Sequence, residues 1–267
     1  MLAVVFAAGA CIGSFLNVCI HRLPAEESVI RPGSRCPRCA TPIAWYNNIP
    51  LVSWAWLRAR CSACGSSIPA RYVIVEAATA ALAVLALLVF GPTLRAAVAF
   101  AFTAALLLIT FIDLDHLFIP DEVSLPGIVV GLAASVATGA PTPLEALLGA
   151  ALGGGILWAV AWSYEHLTGV EGMGLGDVKL LAMIGAFLGW RALPTVLVVS
   201  SLVGSLGGAL LIATREARAL RRAVRRLGLS AAAPFVRRAA RRTEIPFGPF
   251  LALGAMVALY SPRLLLF

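Results

Sequence analysis

VIVEAATAALAVLALLVFGPTLRAAVAFAFTAALLLITFI, residues 73–112, is the stretch on which the fold turns. It holds two apolar runs, 73–90 and 96–112, parted by a Gly-Pro turn that carries Arg95. A membrane span needs about 20 apolar residues, or somewhat fewer when the helix is short or partly in the interface. The stretch therefore reads as two transmembrane helices joined by a short connection. Working outward, the same reading gives spans at 1–20, 123–139, 144–163, 178–190, 193–213 and 246–263. The count is eight, or seven if 178–190 and 193–213 form one bent unit across Trp190, Arg191 and Pro194.

Composition agrees. Of 267 residues, 60% are hydrophobic and only 13% charged, and the mean hydropathy is +0.92. A water-soluble domain of this length needs far more surface charge, so the bilayer is the expected solvent. No basic residue precedes the first apolar run, so residues 1–20 are expected to be a retained span rather than a cleaved signal. The fold class is an all-α polytopic membrane protein. A first helix at 1–20 is followed by a small inserted domain at 21–72 and a membrane core at 73–267.

Charge orients the bundle. The segment 21–72 holds seven arginines and 214–244 holds ten, together 17 of the 21 Lys+Arg residues. With eight spans both segments fall on one side, which the positive-inside rule makes cytoplasmic, with both termini outside. The formal net charge of +8 does not point to nucleic acid. The basic residues flank spans, where anionic lipid headgroups are the expected partners. REARALRRAVRR (215–226) reads as a basic amphipathic helix along the membrane surface. AAAPFVRRAARR (231–242) is compositionally biased.

Four of the six cysteines form two pairs, CPRC (Cys36, Cys39) and CSAC (Cys61, Cys64), with 21 residues between them. Each pair can present two thiolates from one tight turn, and two such turns make the tetrahedral S4 set that Zn2+ favours. A domain of roughly 50 residues has too little core to be rigid alone, and a structural metal supplies folding energy. The cytoplasmic assignment disfavours the competing reading of disulfides. Four thiolates leave no open ligand position, so a zinc-dependent hydrolase is not expected. Cys11 and Cys19 read as small buried hydrophobes of the first span.

Acidic residues beside spans are few and costly, which makes them functional candidates. Asp113 stands in TFIDLDHLFIPDE (110–122) at the end of the third span, and Asp177 in GMGLGDVKLLAMIGAFLG (172–189) where the sixth begins. Topology puts both at the same membrane face, although 64 residues separate them. Two neighbouring carboxylates cannot comfortably both ionise, and such a dyad can activate water while its protonated member polarises a carbonyl. The glycines before Asp177 are expected to let an extended substrate backbone approach. A phosphate-binding loop at GMGLGD would need a preceding strand, and none is visible. Asp115, Asp121 and Glu122 read as interfacial or capping acids, with Asp121 at a helix start. His21, His116 and His166 read as interfacial residues. The alternative for Asp113 and Asp177 is a proton relay in a proton-coupled transporter, which would call for carboxylates near the bilayer midplane and an inverted repeat.

With these residues in hand, the chain resembles the type IV prepilin peptidase family. The resemblance rests on GSFLNVCIHRLP (13–24), CPRC with WYNNIPLVSWAWLRARCSAC (45–64), IPARYVIVE (68–76), IDLDHLFIPD (112–121), GLGDVKLLAMIGAFLG (174–189) and IPFGPFLALGA (245–255), in that family's order. It implies an integral aspartic endopeptidase of the bacterial inner membrane that removes the basic leader from type IV prepilins and pseudopilins. Its catalytic aspartates fall on Asp113 and Asp177. Members with both CxxC pairs are usually bifunctional and N-methylate the new N-terminus from S-adenosylmethionine. No segment here identifies a methyl-donor site independently. The loop 214–244 is longer and richer in arginine than the family leads one to expect. A basic leader would meet a positive face, and Asp115, Asp121, Glu122 and Glu171 are expected to offset the repulsion.

Overall fold

The computed structural model describes residues 1–169, 174–227 and 246–261. Among them are nine α-helices and no β-strand, so the all-helical expectation holds for these residues. Helix α1 (Leu2–Arg22) leads into a cysteine segment containing a 3-10 turn at Trp45–Asn48 and the short α2 (Val52–Trp56). Then follow α3 (Arg71–Phe90), α4 (Leu94–His116), α5 (Asp121–Thr138), α6 (Pro143–Thr168), α7 (Leu175–Leu188), α8 (Leu193–Leu227) and α9 (Gly248–Tyr260).

The punctuation is written in the sequence. Gly91 ends α3 at φ +68, and Thr93 starts α4 by accepting the Ala96 N–H. Thr142 and Glu145 form a capping box at the head of α6, and Gly139 and Gly169, both left-handed, close α5 and α6. Each device satisfies amide or carbonyl groups that a helix end would otherwise orphan.

Six helical segments among the described residues are long and apolar enough to cross a membrane, so the chain is an integral membrane protein. The expected eight spans are met only in part. Helices α7 and α9 have 14 and 13 residues, a rise of about 20 Å against a hydrocarbon core of about 30 Å. Burial in protein accounts for much of their apolar character. Leu180, Leu181, Met183 and Ile184 of α7 and Leu251 and Ala255 of α9 are completely buried, in one core with Phe102, Leu106 and Ile109 of α4. Nor do α7 and α8 form one bent unit. Gly189, at φ +78, and a 3-10 turn at Trp190–Ala192 separate them.

Close backbone approach fixes the helix directions. A Cβ on Gly9 or Gly13 of α1 would strike Ala80 or Glu76 of α3, so these helices run antiparallel. Gly127 and Gly131 of α5 face Met183 and Ala186 of α7 in parallel register, and Gly254 of α9 lies against Val196 and Ser200 of α8. The outcome gathers the end of α4 and the starts of α7 and α9 at one end of the bundle. Helix α8 runs without a break through the basic stretch 215–226, which is therefore helical but continuous with the preceding apolar helix. The biased segment 231–242 lies outside the described residues. Cys19 is buried as expected, whereas Cys11 is exposed on α1.

Candidate active site

Asp113 sits in the last turn of α4, where its carbonyl accepts the Leu117 N–H at 2.9 Å. Leu117 adopts a left-handed conformation at φ 54 and stops the helix there. The residue is 5% exposed. Its Oδ2 accepts the backbone N–H of Gly248 at 3.0 Å, a bond spanning 135 residues of chain. A Cβ at position 248 would stand 2.6 Å from that oxygen, so only glycine allows this approach.

Asp177 lies in the first turn of α7, and its N–H donates to the Gly174 carbonyl at 3.3 Å. The partial positive charge of a helix N-terminus favours an acid at this place. The two carboxylates lie within Coulombic reach of one another. Ile119, between α4 and α5, braces the pair: a Cβ on Gly176 would meet its Cβ at 3.0 Å, and one on Gly248 its Cδ1 at 3.4 Å.

The glycines before Asp177 thus divide their work. A Cβ on Gly174 would meet only the Gly176 nitrogen, at 3.9 Å, whereas Gly176 is glycine because Ile119 packs against it. Gly172 lies outside the described residues. Gly248 and Ile119 escaped reading from sequence. The only signal for Gly248 was the IPFGPF block, whose role the pattern alone does not reveal.

The neighbouring acids do something else. Asp115 forms an ion pair with Arg71, whose other nitrogen donates to the Phe111 carbonyl at 3.0 Å and whose guanidinium lies 4.9 Å from the Phe111 ring centre. Lys179 holds both oxygens of Asp121, at 2.7 and 2.8 Å. These two acids already have their cations, which weakens the expectation that they offset a basic leader. Asp121 and Glu122 occupy the first turn of α5, the expected helix start. Glu171 lies outside the described residues. His21, His116 and His166 all fall in the last turns of their helices.

The cysteines converge. The sulfurs of Cys36, Cys39, Cys61 and Cys64 all lie within 4.8 Å of one another. Two equivalent turns bring them there. Ala40 and Gly65 donate to the carbonyls of Cys36 and Cys61, while the Cys36 and Cys61 N–H groups donate to Thr41 and Ser66. Backbone N–H groups of Cys39 and Arg38 pull the Cys36 thiol down to about 6, and Ser66 lowers Cys64. A closed set of four sulfurs, part of it already biased toward thiolate, fits structural Zn2+.

Residues 7–90 match the model of the bacterial peptidase A24 N-terminal domain, and residues 100–209 that of the type IV leader peptidase family. A prepilin leader peptidase/N-methyltransferase of Aeromonas salmonicida is 38% identical over 282 residues, covering 96% of this chain and 89% of its own. The protein of that name from Pseudomonas aeruginosa is 37% identical over 274 residues, covering 94% of this chain and 87% of its own. One from Myxococcus xanthus is 44% identical over 210 residues, covering 78% of this chain and 62% of its own. No solved structure matches.

Proposed function

The chain belongs to the type IV leader peptidase family, and from that premise we propose that Asp113 and Asp177 cleave the basic leader from type IV prepilins or pseudopilins at the cytoplasmic membrane face. The observation that supports the reading is that these two carboxylates, 64 residues apart in sequence, lie within Coulombic reach of one another, with the Gly248 N–H on Asp113. The N–H bond to Asp113 Oδ2 stabilises the negative charge on that carboxylate. We assign the proton to Asp177. Asp113 then takes a proton from water, the hydroxide oxygen attacks the scissile carbonyl carbon, and Asp177 protonates the carbonyl oxygen. Collapse of the tetrahedral intermediate breaks the C–N bond as the leaving nitrogen takes the proton from Asp113 and one hydroxyl of the former carbonyl carbon returns its proton to Asp177, which restores the starting state of the pair. No covalent enzyme intermediate forms.

The relatives' names add methylation of the new N-terminus, for which S-adenosylmethionine would be the donor. Among the described residues there is no strand-based cleft of the kind that cradles an adenosyl group. Cys36, Cys39, Cys61 and Cys64 would hold one zinc ion as a structural staple, making residues 21–72 a small domain of their own. Proton transport by the same aspartates gains no support from the relatives.

The test is to incubate the detergent-solubilised protein with a type IV prepilin and follow leader loss by mass spectrometry, with and without S-adenosylmethionine. Wild type should cleave, and Asp113→Asn and Asp177→Asn should lose nearly all activity. A further gain of one methyl mass would mark the second activity. Full activity in either variant would disprove the dyad.

A further inference from the structure

The cysteine segment carries a feature that neither the thiol cluster nor the carboxylates use. Between the two cysteine pairs, the turn at Trp45–Asn48 and helix α2 are tied into one unit by Ser53. Its hydroxyl donates to the Tyr46 carbonyl at 3.1 Å and accepts the Ile49 N–H at 2.9 Å. Two indoles of this unit stand almost bare: Trp45 is 81% and Trp56 83% exposed. Tyr46, Ile49 and Val52 are exposed beside them, and Tyr46 meets Trp45 edge to face at 5.8 Å. In water such a cluster of large apolar groups is unfavourable, and it implies a partner.

Depth says which partner. The unit hangs on Glu76, whose carboxylate, on a residue only 8% exposed, accepts the Leu51 N–H at 2.7 Å. Leu51 takes a positive φ of 64, a conformation a leucine adopts only under constraint, and this aims its N–H at Glu76. Glu76 lies five residues into α3 beyond Arg71, about 7 Å along the axis. It also lies level with Gly13 of α1, whose added Cβ would touch the Glu76 Cα, nine residues before α1 ends at Arg22. Both helices are candidate membrane spans. The polar end of the bundle is marked by the Arg71 and Asp115 pair. The Leu51 N–H is thus held toward the middle of the spans from that boundary, by about the thickness of one headgroup layer.

We infer that residues Trp45–Trp56 are an interfacial anchor, seated in the headgroup region of the bilayer beside α1 and α3. Trp45, Tyr46 and Trp56 face lipid at the level where aromatic rings with a polar edge are favoured. Arg58 and Arg60, both exposed just after α2, reach the phosphates of anionic headgroups. The Glu76 bond sets the depth, so the cysteine segment is fixed against the membrane rather than tethered loosely above it.

Neither readout of the test depends on cleavage, so it stands apart from the peptidase reading. The full chain is reconstituted into vesicles of anionic phospholipid carrying bromine on the acyl chains near the headgroup. Emission of wild type minus that of Trp45→Phe or Trp56→Phe isolates each indole while keeping aromatic bulk. Brominated lipid should remove most of that difference emission, and aqueous iodide little of it. Arg58→Glu with Arg60→Glu should reduce the bromolipid quenching. Quenching by iodide and not by bromolipid would overturn the inference and assign the patch to a protein or peptide partner. Should the variants fail to fold, the wild-type chain can be labelled with a lipid-phase photoactivated carbene. Adducts within residues 45–56 are expected, and their absence would equally overturn the inference.

Discussion

At the residue scale the site depends on what is missing from position 248. A methyl group there would stand 2.6 Å from Asp113 Oδ2, so alanine must push aside either the carboxylate or the start of α9. A hydrogen bond to a charged acceptor contributes about 1.5–3 kcal/mol. Gly248→Ala should therefore lower the rate of prepilin cleavage by roughly ten- to a hundredfold. Wild-type turnover in this variant would remove the Gly248 N–H from the mechanism. A second prediction concerns Cys36, whose thiol is held near 6 by the N–H groups of Cys39 and Arg38. Its thiolate persists above that value and is lost as pH falls through it. In chelated protein, iodoacetamide labelling of Cys36 should rise to half-maximum near pH 6 rather than at the ordinary thiol value, and added zinc should protect it.

At the element scale, the short α7 is held by backbone contact with α6. A Cβ on Gly149 would run into the Gly185 carbonyl, and one on Gly185 into that of Gly149. Neither helix can give way, since α7 is also packed against α5 on its other flank. Overpacking of this kind costs about 1–3 kcal/mol or more. Gly185→Leu should lower the thermal midpoint in detergent and reduce recovery of folded protein, whereas Ala81→Leu at an exposed position of α3 should not. Equal midpoints for the two would contradict this packing. Because Asp177 rides on the first turn of α7, cleavage should fall with the same substitution.

At the scale of the whole molecule, alternating helix direction collects the ends of α1, α4 and α6 and the starts of α3, α5, α7 and α9 on one side. Topology reporters follow directly. An alkaline phosphatase fusion after Gly91 or Gly139 should be active, as expected outside the cytoplasm, and one after Leu227 should be inactive. The reverse pattern would invert the orientation drawn from the arginines, and with it the cytoplasmic placement of the dyad.

The solvent, the helical class, the main spans and the pairing of the cysteines were legible in the sequence. Apolar length, Gly and Pro punctuation and CxxC spacing are local properties, and each has a local physical cause. The span count was less legible, because a helix buried in protein and one crossing lipid are equally apolar. Asp113 and Asp177 could be singled out one by one, as acids at the ends of apolar runs. Their nearness, the Gly248 N–H that steadies one of them and the Ile119 brace depend on contacts between residues up to 135 positions apart. The same holds for Glu76 and Leu51, and for the cations that occupy Asp115 and Asp121. Such contacts exist only once the helices have packed, because no periodicity along the chain encodes which backbone amide will face which carboxylate.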